Sequence, residues 1–265
     1  MVFNLCETVD EDPKLAWHPA ALFELLGIAF SGSPSSALML TTDKLLTKQL
    51  LKANGIRTPD YLVYDDRKAF GSKNLRFPVI IKPRFEDASI GIDQESIFED
   101  EGSLKKGLDA FHERFGSVLV EEYVAGREFN ISLFGYPAVK VLPVAEIDFS
   151  AFPKELYPIV GYRAKWDEGS FEYQHTPRVF PEKLPRGLLS EMKQTALDCF
   201  RLFMLRDYGR VDMRVDDRLK IHVLEVNANP CLSPDAGLSA SYQKTGKGHS
   251  QLVRHLLRFT LKRAF

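Results

Sequence analysis

The sequence predicts an α+β fold, and three observations carry that reading. Residues 209–230 hold two period-2 runs: Val211, Met213 and Val215 alternate with Asp212 and Arg214, then Ile221 and Val223 alternate with His222 and Leu224. With the turn signal Asp216-Asp217-Arg218 between them, these runs read as a β-hairpin. Two apolar runs, Phe77 to Lys82 and Ser117 to Val124, read as buried strands. Helical stripes separate them, over Leu104 to Phe115 and over Leu188 to Leu205, the latter with Leu189, Met192, Ala196, Cys199 and Phe203 on one face.

With 265 residues, 45% of them hydrophobic, the chain can fill the cores of two or three lobes. Thirty-five basic against 36 acidic residues leave a formal net charge of −1. That excludes the global field expected of a nucleic-acid or membrane-surface binder, so any anion site must be local. Cys6, Cys199 and Cys231 are odd in number and far apart, which argues against a disulfide framework or a zinc site and for a cytoplasmic setting. No apolar run approaches the roughly 20 residues that span a bilayer, and the first residues lack the basic and apolar regions of a signal peptide.

Taken in order, Val2 to Leu5 reads as a strand with no earlier strand to pair with, which predicts that the first half of an N-terminal α/β domain is missing. Pro19 suits a first helical turn, Ala20 to Leu26 run helically and Gly27 ends them. Ile28-Ala29-Phe30 is a short strand and Ser31 to Pro34 a turn. Thr42 is expected to cap a helix over Asp43 to Asn54, closed at Gly55. A second lobe then begins, with a strand ending on Lys82, a small-residue turn around Ala88-Ser89 and a return at Gly91-Ile92. After the helix Leu104 to Phe115, the strand from Ser117 opens into a hinge, and Gly126-Arg127-Glu128 turns the chain into a strand over Phe129 to Phe134. Val139 to Ile147 is a further strand, and Leu156 to Gln174 a lid-length loop centred on Lys165-Trp166. Pro230 to Ser241 is irregular, and His249 to Lys262 closes as an amphipathic helix in which His249 and His255 read as structural.

The hairpin carries the chemistry. Pairing Asp216 with Ile221 sets Asp212 opposite Glu225 and Arg210 opposite Asn227, so two carboxylates and an amide oxygen share a face with Cβ atoms about 5 Å apart. Hard oxygen donors at that spacing suit Mg²⁺ completed by phosphate oxygens. The plain alternative is a solvated hairpin face. Lys82 likewise reads either as a lysine snorkelling to water or as a phosphate ligand beside a flap of backbone N–H groups. Glu128 is either an acidic strand end or a partner for a ribose.

Lys44, Ile80-Ile81-Lys82-Pro83, Glu121-Glu122-Tyr123-Val124 with Glu128, Gly209-Arg210-Val211-Asp212 and Leu224-Glu225-Val226-Asn227 together resemble the ATP-grasp superfamily, and within it the D-alanine–D-alanine ligases. The resemblance implies an ATP-grasp fold, two α+β lobes clasping a nucleotide, with a truncated N-terminal α/β domain. Residues 1–40 would be that remnant, 41–122 the small lobe and 123–265 the large lobe. It implies an ATP-dependent carboxylate–amine ligase, ADP-forming through an acyl phosphate. Asp212, Glu225 and Asn227 would hold Mg²⁺, two ions in the family, with Mn²⁺ as a substitute. Lys44, Lys82 and Ser89 would meet phosphates, and Lys165 would close over the γ-phosphate. Glu121, Glu122, Tyr123, Val124 and Glu128 would line the adenosine site with Leu224 beneath the ring. Arg210 would stabilise the tetrahedral intermediate. The substrates would be small carboxylates and amines, amino acids foremost, and a homodimeric assembly stays open.

Two departures from the family pattern stand out. The flap has Asp87-Ala88-Ser89 where the ligases carry Gly-Ser-Ser, which adds a negative charge near the phosphates. The stretch Asn229 to Gly237 lacks the Gly-Met-Thr and following His-Ser that bind the second substrate's carboxylate, and Asp235 there could favour a cationic or amine-bearing partner. These features keep two alternatives open: a ligase for another carboxylate and amine, or a nucleotide-binding protein that lacks full activity because its N-terminus is short.

Overall fold

The computed structural model describes residues 1–65 and 74–264. Near the start, Val2 forms a single parallel bridge to Phe30, so the two expected strands reduce to one bridged pair. Helix α1 (His18–Leu25) carries Pro19 in its first turn, and Gly27 follows with φ of 63°. Helix α2 (Ser35–Thr42) was not expected, and it corrects the capping residue. Thr42 closes α2; it is Asp43 whose carboxylate accepts from the Leu45 and Leu46 N–H groups and caps α3 (Lys44–Ala53), a contact worth about 1 kcal/mol.

A four-stranded antiparallel sheet follows, built from β1 (Tyr61–Tyr64), β2 (Val79–Pro83), β3 (Ile97–Phe98) and β4 (Val118–Glu122) in the order β1-β4-β2-β3. Helix α4 (Glu101–Phe115) covers one face, and Val79, Ile81, Val118 and Val120 form a core with its Leu104 and Leu108. The period-2 rule sends Ile80, Lys82, Leu119 and Glu121 to the opposite face, where Ile80 stands beside Glu121. The return after Lys82 comes later than expected. Residues 84–92 stay irregular, with Ala88 and Ser89 at positive φ, and pairing resumes at β3.

The second sheet has six strands: β5 (Arg127–Gly135), β6 (Lys140–Val141), β7 (Ala145–Ile147), β8 (Arg178–Val179), β9 (Asp207–Val215) and β10 (Ile221–Asn227). Its order is β10-β9-β5-β7-β8, with β6 paired to β5. The expected strand from Val139 is thus two pieces. The segment expected as a loop holds two short helices, α5 (Tyr162–Trp166) and α6 (Phe171–Gln174). Helix α7 (Leu188–Leu202) lays Leu188, Met192, Ala196, Cys199 and Phe200 on one face of this sheet, against Phe129, Ile131, Leu133, Val211 and Met213. Helix α8 (Gly237–Gln243) begins inside the stretch expected to be irregular, and α9 (His249–Ala264) closes the chain. His249 and His255 meet the Leu232 carbonyl and the Tyr242 hydroxyl, each at 2.7 Å, in keeping with structural roles.

Gly126 makes the turn into β5. Its φ is 137°, and a Cβ there would lie 2.1 Å from the Val215 carbonyl oxygen, so only glycine lets the hinge pass this close to β9.

Candidate active site

The hairpin β9–β10 departs from an unbroken ladder at one place. Ile221 pairs with Val215, not with Asp216, and Val223 with Met213; after Leu224 the register shifts by one, so that Glu225 pairs with Asp212 and Asn227 with Arg210. The expected facing of Asp212, Glu225, Arg210 and Asn227 therefore holds, while the expected pairing at the turn does not. The bulge has a physical purpose. Without it Ile221, Val223, Glu225 and Asn227 would share one face; with it the two apolar residues enter the α7 core and the two polar ones emerge opposite.

That polar face continues across the sheet. Asp212 stands beside Asn130, Arg214 beside Glu128 and Arg210 beside Ser132 on β5. Arg210 grips Asp212 with two hydrogen bonds of 2.8 Å and lies 3.5 Å from Glu225. Asn130 donates to Asp212 Oδ1 at 2.8 Å and fixes its rotamer. Burial drives the Asp212 carboxyl above its ordinary value; Arg210 opposes that shift and neighbouring Glu225 adds to it. Burial would raise Glu225 too, but Lys44, Lys165 and Arg210 together hold it below the usual carboxylate range. Burial lowers the Lys165 ammonium against the pull of Glu225. Electrostatically the three cations and two carboxylates are one group, which joins Lys44 of the helical segment and Lys165 of α5 to the hairpin.

A second charged group sits under the small sheet. Glu121, only 1% exposed, pairs with Lys82 at 3.1 Å and with Lys48 at 3.2 Å. Lys48 is itself 1% exposed, donates to Thr58 at 3.0 Å, and is pushed down to about 8 by burial, partly offset by Glu121. Burial works to raise Glu121, yet Lys48 and Lys82 keep it below its ordinary value. Its Oε1 is buried without a partner. Glu122 is held by Arg76 through its backbone N–H and guanidinium, at 2.6 to 3.0 Å. The Tyr123 ring lies under the Arg214 guanidinium, 5.0 Å away, and the Val124 carbonyl accepts from Arg214 at 2.8 Å. Glu128 accepts two bonds from the same arginine, at 2.9 and 3.1 Å, through one oxygen. Leu224, at the bulge, is half-buried.

The irregular 84–92 segment and the 156–174 segment are clasped together. Ser89 donates to the Val160 carbonyl at 2.7 Å, Trp166 to the Ala88 carbonyl at 3.0 Å, and Tyr162 N–H to the Ile92 carbonyl at 2.7 Å. The same flap holds Lys44 through the Glu86 carbonyl and through Asp87 at 3.6 Å. Ser89 thus faces the lid, and its hydroxyl is already committed.

Sequence reasoning missed Lys48, Asn130, Ser132 and Arg214. Lys48 follows Lys44 by one helical turn, and Asn130 and Ser132 follow Glu128 by period 2; those spacings were the available signals.

The D-ala D-ala ligase C-terminus family profile matches residues 50–258. An uncharacterised protein of Sinorhizobium fredii is 30% identical over all of this chain and 76% of its own length. A D-alanine–D-alanine ligase of Thermotoga petrophila is 31% identical over 97% of this chain and 78% of its own. The D-alanine–D-alanine ligase of Bacillus anthracis, in a crystal structure complexed with ATP, superposes with a TM-score of 0.75 at 25% identity, covering 93% of this chain and 75% of that one. With the ATP-grasp arrangement of two antiparallel sheets and the ordered run of motifs from Lys44 to Asn227, these matches establish that the chain belongs to the D-alanine–D-alanine ligase family.

Proposed function

We propose that the protein is an ATP-dependent carboxylate–amine ligase that forms ADP through an acyl phosphate. The observation that carries this reading is the row Asp212, Glu225, Asn227 with Arg210 at its end, in electrostatic contact with Lys44 and Lys165. Among the described residues no three His, Cys, Asp or Glu side chains form a metal cage on their own. Two facing carboxylates beside an amide oxygen are instead the donor set of Mg²⁺ sites completed by phosphate oxygens, and a cation would offset the burial, and with it the Glu225 repulsion, that lift Asp212. Asp212, Glu225 and Asn227 would hold the ions, two in this reading, with Mn²⁺ as a substitute. When bound, they neutralise charge on the transferring phosphoryl group.

The chain's own residues do the rest. Lys44, Lys82 and Lys165 receive phosphate oxygens; Lys48 and Glu121 keep Lys82 extended toward them. The hinge at Glu122 to Val124 and the Glu128–Arg214 pair border the adenosine. A substrate carboxylate oxygen attacks the γ-phosphorus and ADP leaves; an amine then attacks the acyl carbon, loses a proton, and inorganic phosphate departs. Arg210 is placed to receive the oxyanion of that second step, a contribution of about 3–4 kcal/mol for such a donor. The clasped lid keeps water from the acyl phosphate. The two sheets have separate cores, which supports two lobes, although Ala20, Phe30, Ala37, Leu38 and Leu51 pack into the core of the large sheet.

The test is ADP release from MgATP with a panel of D- and L-amino acids as carboxylate and amine donors, with hydroxylamine as a trap for the acyl phosphate. Asp212→Asn and Glu225→Gln are expected to lower turnover at least roughly a hundredfold with the fold retained. Near-full turnover in either variant contradicts the metal assignment. Absence of amino-acid-dependent ADP release and of any hydroxamate contradicts the ligase reading.

A further inference from the structure

The polar face of the large sheet ends in an arginine that the motifs do not include. Registers run from Arg214 to Glu128, from Glu128 to Ile147 and from Ile147 to Arg178, which puts Arg178, on edge strand β8, on the same face as Asp212 and Glu225. Every other arginine on this face has a carboxylate: Arg214 has Glu128 and Arg210 has Asp212. Arg178 makes no close ion pair among the described residues; Asp235 and Asp212 attract it only from a longer range. Its Nη1 donates to the Asp235 backbone carbonyl at 3.1 Å, and its Nε is buried without any partner. Burial lowers its pKa, and the nearby Arg210 guanidinium adds to that. Opposite it stands Gly237, where a Cβ would come within 3.5 Å of Nη2, so the absence of a side chain there leaves room beside the guanidinium.

A half-buried cation beside another cation, with a donor left open, is costly unless an anion completes it. Arg178 touches the loop that follows Asn227. In the ligase reading that loop borders the amine-donating substrate. Asp235 offers its backbone carbonyl to Arg178, and its side chain is exposed.

We propose that Arg178 receives a carboxylate carried by the amine-donating substrate, and so selects amino-acid-like amines over uncharged ones. This rests on the ligase reading above. Arg178 supplies from the sheet edge the cation that the 229–237 loop does not provide, and it acts as a specificity residue.

Acceptors matched except for charge test it. With MgATP and a carboxylate donor identified by hydroxamate formation, D-alanine is expected to be the better acceptor than D-alaninamide. Arg178→Ala is expected to raise the KM for D-alanine roughly 10- to 100-fold, far more than it changes the KM for ATP, and to erase the preference over D-alaninamide. Arg178→Lys should recover part of the preference. Equal discrimination in wild type and Arg178→Ala, or a wild-type preference for the amide, overturns the proposal while hydroxamate formation keeps the ligase reading intact. If no hydroxamate forms, calorimetry of D-alanine and D-alaninamide on the MgADP-bound protein decides the matter. Binding that needs the carboxylate and disappears in Arg178→Ala sustains it, and binding indifferent to either change refutes it.

Discussion

At the scale of single residues, the site is held by partners that sequence motifs do not advertise. Glu121 is serviceable as a fixed anion because buried Lys48 and half-buried Lys82 flank it, and removing one leaves a poorly compensated charge in a dry environment. Lys48→Met is therefore expected to cost about 3 kcal/mol of stability in urea denaturation, while Lys48→Arg, which keeps the charge but must fit a larger group beside Thr58, should lose less. If Lys48→Met unfolds at the wild-type midpoint, the Glu121 cluster does not contribute to stability. Asp212, Glu225, Asn227 and Arg210 were legible because period-2 alternation and an acidic pairing both pointed to one face. Arg178 was not legible. It lies in a strand of two residues, too short for any periodic signal, and its significance comes only from neighbours distant in sequence.

At the scale of elements, the bulge at Leu224 and the flap–lid clasp decide how the site is assembled. The alternation in the hairpin could be read, but the bulge could not, since one inserted residue leaves both flanking runs periodic. Likewise α2 escaped notice because its buried Ala37, Leu38 and Thr42 come with no polar residue in a capping position, Pro34 standing there instead. The clasp is composed of few hydrogen bonds, so each should matter. Trp166→Phe retains the ring and removes the bond to Ala88, a loss of about 1 kcal/mol that should speed hydrogen exchange at the Tyr162 amide roughly fivefold. Unchanged exchange at that amide would mean the two segments are not latched through Trp166.

For the whole molecule, the α+β class and the two-sheet architecture followed from the placement of apolar runs, whereas among the described residues the N-terminal strands reduce to one bridge between Val2 and Phe30. The large core also sets a pH response. Cys199 is fully buried, and burial pushes its thiol up to about 12 from an ordinary 9.0. The folded pKa exceeds the unfolded one, so the unfolded chain ionises first; stability is intact below pH 9.0 and falls as pH rises toward 12. Cys199→Ala should flatten that slope by about 1.4 kcal/mol per pH unit relative to wild type in paired alkaline denaturation series, whatever it costs at neutral pH. The clasp has a kinetic counterpart at this scale. Residues 84–92 belong to the small sheet's connection and 156–174 to the large sheet's; under the proposed function, with the nucleotide entering between the sheets, association would wait for a unimolecular opening that no increase in its concentration can hasten. Stopped-flow traces of MgATP association should level off at high nucleotide, at a plateau rate that Trp166→Phe raises.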